Sequence, residues 1–371
     1  MKKEHTKGGG KKKAASKTRL SPFHKVSKEI WIGASALVLV WGLIALAFFS
    51  TVDRVAPEES EVEEVPEEAL EIRHPLTGEV LEEELEELPW VFGVMVENAA
   101  DAWPLSGLED AFLVIEAPVE AGIPRFIAFF SEETEIEKVG PVRSARPYYL
   151  DWNDEFEAVY THVGGSPQAL DFILDFGTFD LNQFWHGATF YRENGNRYAP
   201  HNVYTNSERL IAWLEEALLE RGEDEEVPEY ESWLFKDDEP AEEGESLAID
   251  FADGTLYDVN WVYEEETNTY LREQAGSTMY MEDGATTSAK NIIVLATDVE
   301  SIDAVDRKAV RTTGSGNAYV AFDGRVQIAV WKKEERTDRL RLYDEEGKEI
   351  AFNAGVTWIE VVDDIADVEI E

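Results

Sequence analysis

The chain has 371 residues and a formal net charge of -45, with 78 acidic and 33 basic side chains and no cysteine. This length accommodates two ordinary domains, and a hydrophobic content of 44% is enough to fill their cores. The lack of cysteine excludes disulfides, zinc-thiolate sites, thiol catalysis and lipid modification of an N-terminal cysteine. The acidity disfavours nucleic acid or anionic lipid as a partner of the bulk surface, and it is equally compatible with a solubility or high-salt adaptation.

A basic N-terminal tail precedes one long apolar stretch. Residues 1–28 hold ten Lys or Arg and a single acid, whereas the twenty residues from Ile30 to Phe49 carry no charge. As a helix, this stretch would span about 30 Å, the thickness of the bilayer's hydrocarbon core. We therefore predict a cytoplasmic tail at 1–29 and a single transmembrane helix at 30–50, which leaves the bulk of the chain extracytoplasmic. The alternative is a signal peptide cleaved after "ALA" (45–47), but the long basic tail favours a retained anchor.

The next segment, 51–88, is strongly acidic. Between Asp53 and Glu87, fifteen acidic residues accompany two arginines. Such a run repels itself and stays solvated, which predicts a linker that separates the folded part from the membrane.

Residues 89–225 alternate strand-like and helix-like patterns. The apolar runs "WVFGVMVEN", "AFLVIEAPVE" and "RFIAFFS" predict strands, and 146–156 has the spacing of an amphipathic helix. A strand at 156–163 precedes a helix in "QALDFILDFG", and 206–222 is the clearest helix, with Asn206 or Ser207 as its cap and Gly222 as its end. Alternating strands and helices predict an N-terminal mixed α/β domain.

After a polar linker at 226–246, residues 247–363 show almost only β patterns. Nine short apolar or alternating runs are separated by turn signals such as "ADGT", "FDGR" and "DEEGKE". This second domain is predicted to be a sheet-rich barrel or sandwich. The predicted fold class is therefore α+β, an N-terminal α/β domain followed by a β-rich C-terminal domain.

Several motifs in both segments resemble one bacterial family. The motifs "HPLTGE", "KVGPVRSARPYYLDW", "THVGGSPQAL" and "APHNVYT", followed by "SAKNIIVLATDV" and "FNAGVTWIEVV", are similar to the YerB-like lipoprotein family over roughly residues 74–361. The resemblance implies a two-domain envelope protein with no established activity, and it supplies no catalytic residues. Members of that family are commonly anchored through a lipidated cysteine, so here a transmembrane helix would replace the lipid.

The segment "KVGPVRSARPYYLDW" (138–152) concentrates positive charge within this acidic chain. Lys138, Arg143 and Arg146 lie within nine positions of one another. If 146–156 is helical, both arginines stand at its N-terminus, where the macrodipole is already positive and an unpaired arginine is disfavoured. We therefore expect a negative group here, from a ligand or from the protein itself.

A glycine turn follows about sixteen residues later. A predicted strand ends in His162, and Gly164 and Gly165 lead to Ser166, a helix N-cap residue followed by proline. A strand, a glycine turn and a helix start leave backbone N–H groups directed at one point, which favours an anion. Together with the two arginines, this turn predicts a binding site for phosphate or carboxylate.

A second polar cluster lies at 186–204. Its candidate ligand-binding residues are Arg192, Arg197, His201 and Asn202, and Arg125, which follows a Gly-Ile-Pro turn, is a further member. The neighbouring aromatic residues suit stacking on a sugar or another ring, and they are Trp185, Tyr191, Tyr198 and Tyr204.

Each candidate also has a structural alternative. Arg143 and Arg146 could pair with Asp151, Asp154 or Glu155, without any ligand. We predict no metal centre and no cofactor, because the three histidines His162, His186 and His201 follow no ligand spacing. A catalytic triad of Ser166, His162 and Asp171 is a further alternative, although helix capping by itself explains Ser166.

The leading hypothesis is a non-enzymatic, membrane-anchored envelope protein that binds an anionic or saccharide ligand. One alternative is a phosphotransferase-like enzyme acting on phosphate-linked envelope polymers, for which Asp151 and Asp154 are the nearest candidate metal ligands. Another is an interaction scaffold that docks a protein partner through exposed apolar strands of 247–363.

Overall fold

The computed structural model describes residues 71–193, 195, 197–222, 227–251 and 254–371. The predicted cytoplasmic tail, the predicted transmembrane helix at 30–50 and most of the acidic linker lie outside the described residues. Within the described ranges, no helix combines the length and apolar character needed to cross a bilayer.

Three α-helices occur in the described part of the chain: α1 (Pro147–Asn153), α2 (Pro167–Phe176) and α3 (Ser207–Arg221). The side chain of Ser166 caps α2 and that of Asn206 caps α3, each by accepting a hydrogen bond from a backbone N–H of the first turn. Gly177 ends α2 in the left-handed conformation, which glycine adopts without steric cost. These helices confirm the three predicted from spacing and caps.

Strands make up most of the rest. Those of the N-terminal half are β1 (Val91–Glu97), β2 (Leu113–Pro118), β3 (Pro124–Ser131), β4 (Val159–His162), β5 (Asp180–Asn182), β6 (Tyr191–Arg192) and β7 (Val203–Tyr204). Those of the C-terminal half are β8 (Phe235–Lys236), β9 (Leu247–Ile249), β10 (Val259–Glu264), β11 (Thr269–Gln274), β12 (Ser277–Thr278), β13 (Ser288–Ala289), β14 (Asn291–Ala296), β15 (Val299–Ser301), β16 (Lys308–Val310), β17 (Gly314–Phe322), β18 (Arg325–Lys333), β19 (Arg341–Tyr343), β20 (Phe352–Asn353), β21 (Thr357–Val362) and β22 (Val368–Ile370).

Ten of these strands form one sheet that runs through both halves of the chain. Its order is β19-β18-β17-β14-β21-β2-β3-β1-β4-β5. The junction is β21, which pairs in parallel with β2 on one side and with β14 on the other. The two halves therefore share a sheet, although they read as separate segments in the sequence.

The two faces of this sheet are covered differently. On one face packs a second sheet, of order β12-β11-β10-β9-β22 with β13 paired to β11, together with α3. On the other face pack α1 and α2. A barrel or a sandwich was predicted for 247–363. The described residues of this segment form packed sheets and no closed barrel, because β21 also pairs with β2 of the N-terminal half.

Buried charges connect the end of α1 to the C-terminal half. Glu155, directly after α1, accepts hydrogen bonds from Lys333 Nζ at 2.5 Å and from Arg339 Nη1 at 2.7 Å. Lys333 also donates to two backbone carbonyls, so its three N–H groups are all used. Because removing one partner of a buried ion pair leaves an uncompensated charge, this contact fixes α1 against β18.

Candidate anion-binding site

The predicted site residues gather at one edge of the large sheet. β1, β2 and β4 run in the same direction, and their carboxyl ends lie beside the start of the antiparallel β3. Glu97 is the last residue of β1, and it pairs in register with Arg125 of β3. Ligands of open α/β sheets commonly bind at the carboxyl ends of strands.

Backbone hydrogen bonds bring the arginine segment to this edge. Arg143 N donates to Met95 O at 2.8 Å, and Val163 N donates to Arg143 O at 3.0 Å. Ala145 N donates to Gly164 O at 2.9 Å, so the segment that carries the arginines lies along the glycine turn. The structure thus joins the two sequence motifs that were predicted to converge.

Arg125 is buried without a carboxylate partner. Its relative exposure is 7%, and its guanidinium donates from Nη1 to Ser144 O at 2.8 Å. Among the described residues, no carboxylate lies within ion-pair distance of it, and the nearest negative influence is the charge of Glu120, which pairs with Arg146. Burial lowers the pKa of Arg125 to about 10, and the neighbouring charges of Arg146 and Arg143 lower it too. The side chain is still a cation at neutral pH, in a place where a cation is unfavourable.

Arg143 forms an ion pair with Glu97 through its Nε, which is buried and makes no hydrogen bond in the described part of the chain. Its Nε lies 3.0 Å from Glu97 Oε1, and the other oxygen of Glu97 lies 2.8 Å from His201 Nδ1. Among the described residues, the two terminal nitrogens of Arg143 have no hydrogen-bond acceptor, and its side chain is 22% exposed. A guanidinium that presents its terminal fork to solvent can bind a carboxylate or phosphate in bidentate fashion.

Arg146 is fully engaged within the protein. Its Nε and Nη2 each lie 2.6 Å from an oxygen of Glu120, and its Nη1 donates to Ala145 O. This ion pair lowers the pKa of Glu120 against the opposing effect of burial.

The predicted structural partners of the arginines were wrong. Asp151 accepts a hydrogen bond from Thr312, Asp154 pairs with Arg336, and Glu155 binds Lys333 and Arg339. Both arginines stand at the start of α1, whereas these acids lie toward or beyond its end, where the C-terminal half packs. Asp151 and Asp154, which the phosphotransferase hypothesis needs as metal ligands, therefore have other partners.

The residues of the glycine turn are used internally. Both ring nitrogens of His162 are engaged, Nδ1 with Gly164 O and Nε2 with Asp180 Oδ1, each at 2.7 Å. Ser166 Oγ accepts from Ala169 N. The triad of Ser166, His162 and Asp171 is therefore wrong, because His162 contacts Asp180 and Ser166 serves as a cap.

The second polar cluster is only partly joined to the site. His201 reaches Glu97, as described above. Arg192 donates to Asn202 Oδ1 at 2.9 Å, and Arg197 donates to Tyr204 Oη at 2.6 Å and to Pro104 O. These contacts hold the β6–β7 hairpin. Within the described ranges, no group of three or more His, Asp or Glu is placed to hold a metal ion.

Three residues of the site were missed from the sequence. Glu97 and Glu120 hold the two arginines, and the buried hydroxyl of Tyr160 has no hydrogen-bond partner in the described part of the chain. The signal for Glu97 was present, because a carboxylate directly after a buried strand faces the same edge as the arginines.

Comparisons with known proteins cover both halves of the chain. Residues 76–220 match the family described as "Protein of unknown function (DUF3048) N-terminal domain", and residues 247–359 match its C-terminal domain. The chain is 31% identical over 307 residues to "Putative lipoprotein YerB" of Bacillus subtilis (strain 168), which covers 81% of this chain and 89% of that protein. The crystal structure of YerB protein from Bacillus subtilis matches with a TM-score of 0.71 and 28% identity, over 81% of this chain and all of the other.

Proposed function

The chain belongs to the DUF3048 family, and from that premise we propose that it is a membrane-anchored, extracytoplasmic protein that binds an oxyanion of the cell envelope. The resemblance to the YerB-like family is thereby confirmed. The ligand's phosphate or carboxylate group occupies the edge of the sheet at Arg125 and Arg143. The protein acts by binding, with no reaction assigned to the site.

The proposed location is supported by the relative and by the N-terminal sequence. The relative's name describes it as a lipoprotein, which is a protein held at a membrane by a lipid. This chain has no cysteine to carry such a lipid, but its residues 30–50 have the length and composition of a membrane-spanning helix. The protein would then be held at the membrane by this helix instead of by a lipid.

One observation supports the proposed ligand above the others, namely that Arg125 is buried beside two further arginines and shares the charge of Glu120 with Arg146, while no carboxylate is hydrogen-bonded to Arg125 itself. Buried charges cost several kcal/mol unless they are paired. In a chain of net charge -45, an acidic partner would be easy to supply from the protein. The lack of an acidic partner for Arg125 is explained if a ligand supplies the negative charge and also binds the two terminal nitrogens of Arg143.

The test is thermal unfolding of the full-length protein against inorganic phosphate, pyrophosphate and acetate, compared with Arg143→Gln. A ligand present at about 100 times its Kd stabilises the folded state by about 2.7 kcal/mol. We expect stabilisation of the wild type by at least one of these anions, and its loss in Arg143→Gln. Arg325→Gln is the matched control, because Arg325 is an exposed arginine at the start of β18, outside the site.

Two results would contradict the proposal. One is the absence of a shift for every anion with the wild type. The other is a shift that Arg143→Gln leaves intact, which would place anion binding elsewhere on the molecule.

A further inference from the structure

Two large aromatic side chains lie exposed next to the arginine cluster. Phe184 and Trp185 follow β5, and their relative exposures are 67% and 78%. Adjacent exposed aromatic residues on a charged surface indicate a contact site more often than a structural need.

Hydrogen bonds tie this aromatic pair to the glycine turn. Asn182 Oδ1 accepts from both Gly164 N, at 3.1 Å, and Phe184 N, at 3.2 Å. The ring of Phe184 covers Gly164 so closely that a methyl group built there would lie 2.6 Å from a ring carbon. Since Gly164 O also accepts from Ala145 N, the aromatic pair and the segment of Arg143 are attached to the same turn.

The separation between the arginines and the aromatic pair exceeds the size of a single anion. Arg125, Glu97, His162 and Asn182 lie at the same edge on four adjacent strands, β3, β1, β4 and β5. With strands about 4.8 Å apart, the distance from Arg125 to Asn182 is about 14 Å. A phosphate or carboxylate at the arginines leaves the aromatic pair unoccupied, whereas a ligand with two or more sugar rings attached to its anionic group reaches it.

We propose that the ligand is an acidic saccharide, with its anionic group on Arg143 and Arg125 and a sugar ring stacked on Trp185 and Phe184. This inference rests on the proposed function and specifies its ligand class. A sugar fits better than an acyl chain because polar groups border the aromatic pair. Gln183 directly precedes the pair, and the buried side chain of Asn182 accepts a hydrogen bond from Phe184 N. A sugar presents both an apolar ring face and hydroxyl groups to such a surface.

The test compares maltose 1-phosphate, inorganic phosphate and maltose as ligands of the full-length protein, by calorimetric titration. We expect maltose 1-phosphate to bind more tightly than inorganic phosphate. Trp185→Ala should weaken maltose 1-phosphate by about 3- to 10-fold, the equivalent of one stacking contact, while inorganic phosphate binds as before. Tyr280→Ala is the matched control, since Tyr280 is an exposed aromatic residue on the second sheet's side of the molecule.

The outcomes separate this inference from the proposed function. Equal affinities for maltose 1-phosphate and phosphate, or a Trp185→Ala variant that weakens both alike, would overturn the saccharide and leave the anion site standing. Binding to phosphatidylglycerol vesicles that Trp185→Ala abolishes, with no binding of maltose 1-phosphate, would replace the saccharide with a lipid. If neither phosphate nor maltose 1-phosphate binds, the proposed function itself fails.

Discussion

Arg125 lowers the stability of the folded protein, and this unfavourable burial indicates a ligand site. Its cationic group is buried with one backbone acceptor, and the charges of Arg146 and Arg143 oppose it. Proteins retain unfavourable groups of this kind mainly at functional sites, where a ligand supplies the missing partner.

We predict that Arg125→Met raises the free energy of unfolding of the ligand-free protein by about 1–2 kcal/mol. Methionine keeps the length of the side chain and removes the charge that has no partner, while one hydrogen bond to Ser144 O is lost. The measurement is chemical denaturation in an anion-poor buffer. A loss of stability of similar size would show that Arg125 is structurally satisfied and would remove the main support for the anion site.

At the scale of elements, a buried acid network joins the two sheets. Glu116 of β2 and Glu360 of β21 are neighbours in register, and both point toward Arg272 of β11. All three side chains are fully buried, with two carboxyl groups for one guanidinium. Burial raises the pKa of Glu360 well above its ordinary value, and the charge of Glu116 raises it further. Glu360 therefore keeps its proton to a higher pH in the folded protein than in the unfolded chain.

Protonation of Glu360 predicts a pH dependence of stability. In the unfolded chain, Glu360 ionises above about its ordinary pKa of 4.5, whereas in the folded protein it keeps its proton. Unfolding then releases a proton, so the stability that this group contributes is present below pH 4.5 and declines as the pH rises, by up to about 1.4 kcal/mol per pH unit.

Glu360→Gln mimics the protonated acid. We expect its free energy of unfolding to decline less with rising pH than that of the wild type, and to be higher than the wild-type value at pH 8. Denaturant unfolding from pH 4.5 to 8 checks it, with exposed Glu369→Gln of β22 as the control. Parallel curves for wild type and Glu360→Gln would mean that Glu360 is ionised when folded.

Local elements were predictable from the sequence because their signals are local. Ser166 and Asn206 marked helix starts, and Gly222 marked a helix end, by the backbone groups they satisfy or the conformations they permit. The insertion of β21 between β2 and β14 has no such signal, because strand pairing across more than two hundred residues depends on the whole fold. Glu120 was missed for the same reason, since it meets Arg146 across a strand and a loop.

At the scale of the whole molecule, the chain from residue 71 onward forms one compact unit. The domain boundaries predicted at 89–225 and 247–363 stay a prediction, because both segments contribute strands to the same ten-stranded sheet. The anion site nevertheless belongs to the N-terminal half alone, because Arg125, Arg143 and their contacts all precede residue 206.

We therefore predict that residues 71–222, produced alone, do not unfold cooperatively. Without β21, β2 becomes an exposed edge strand. Glu155 loses both Lys333 and Arg339, and the apolar surface of β2 and α1 that packs on the C-terminal half becomes exposed to solvent. Near-ultraviolet circular dichroism and a thermal melt test this, and addition of residues 227–371 should restore both the signal and a single transition. A sharp transition for 71–222 by itself would show that the shared sheet joins two independently stable domains, and the anion site could then be studied on that half.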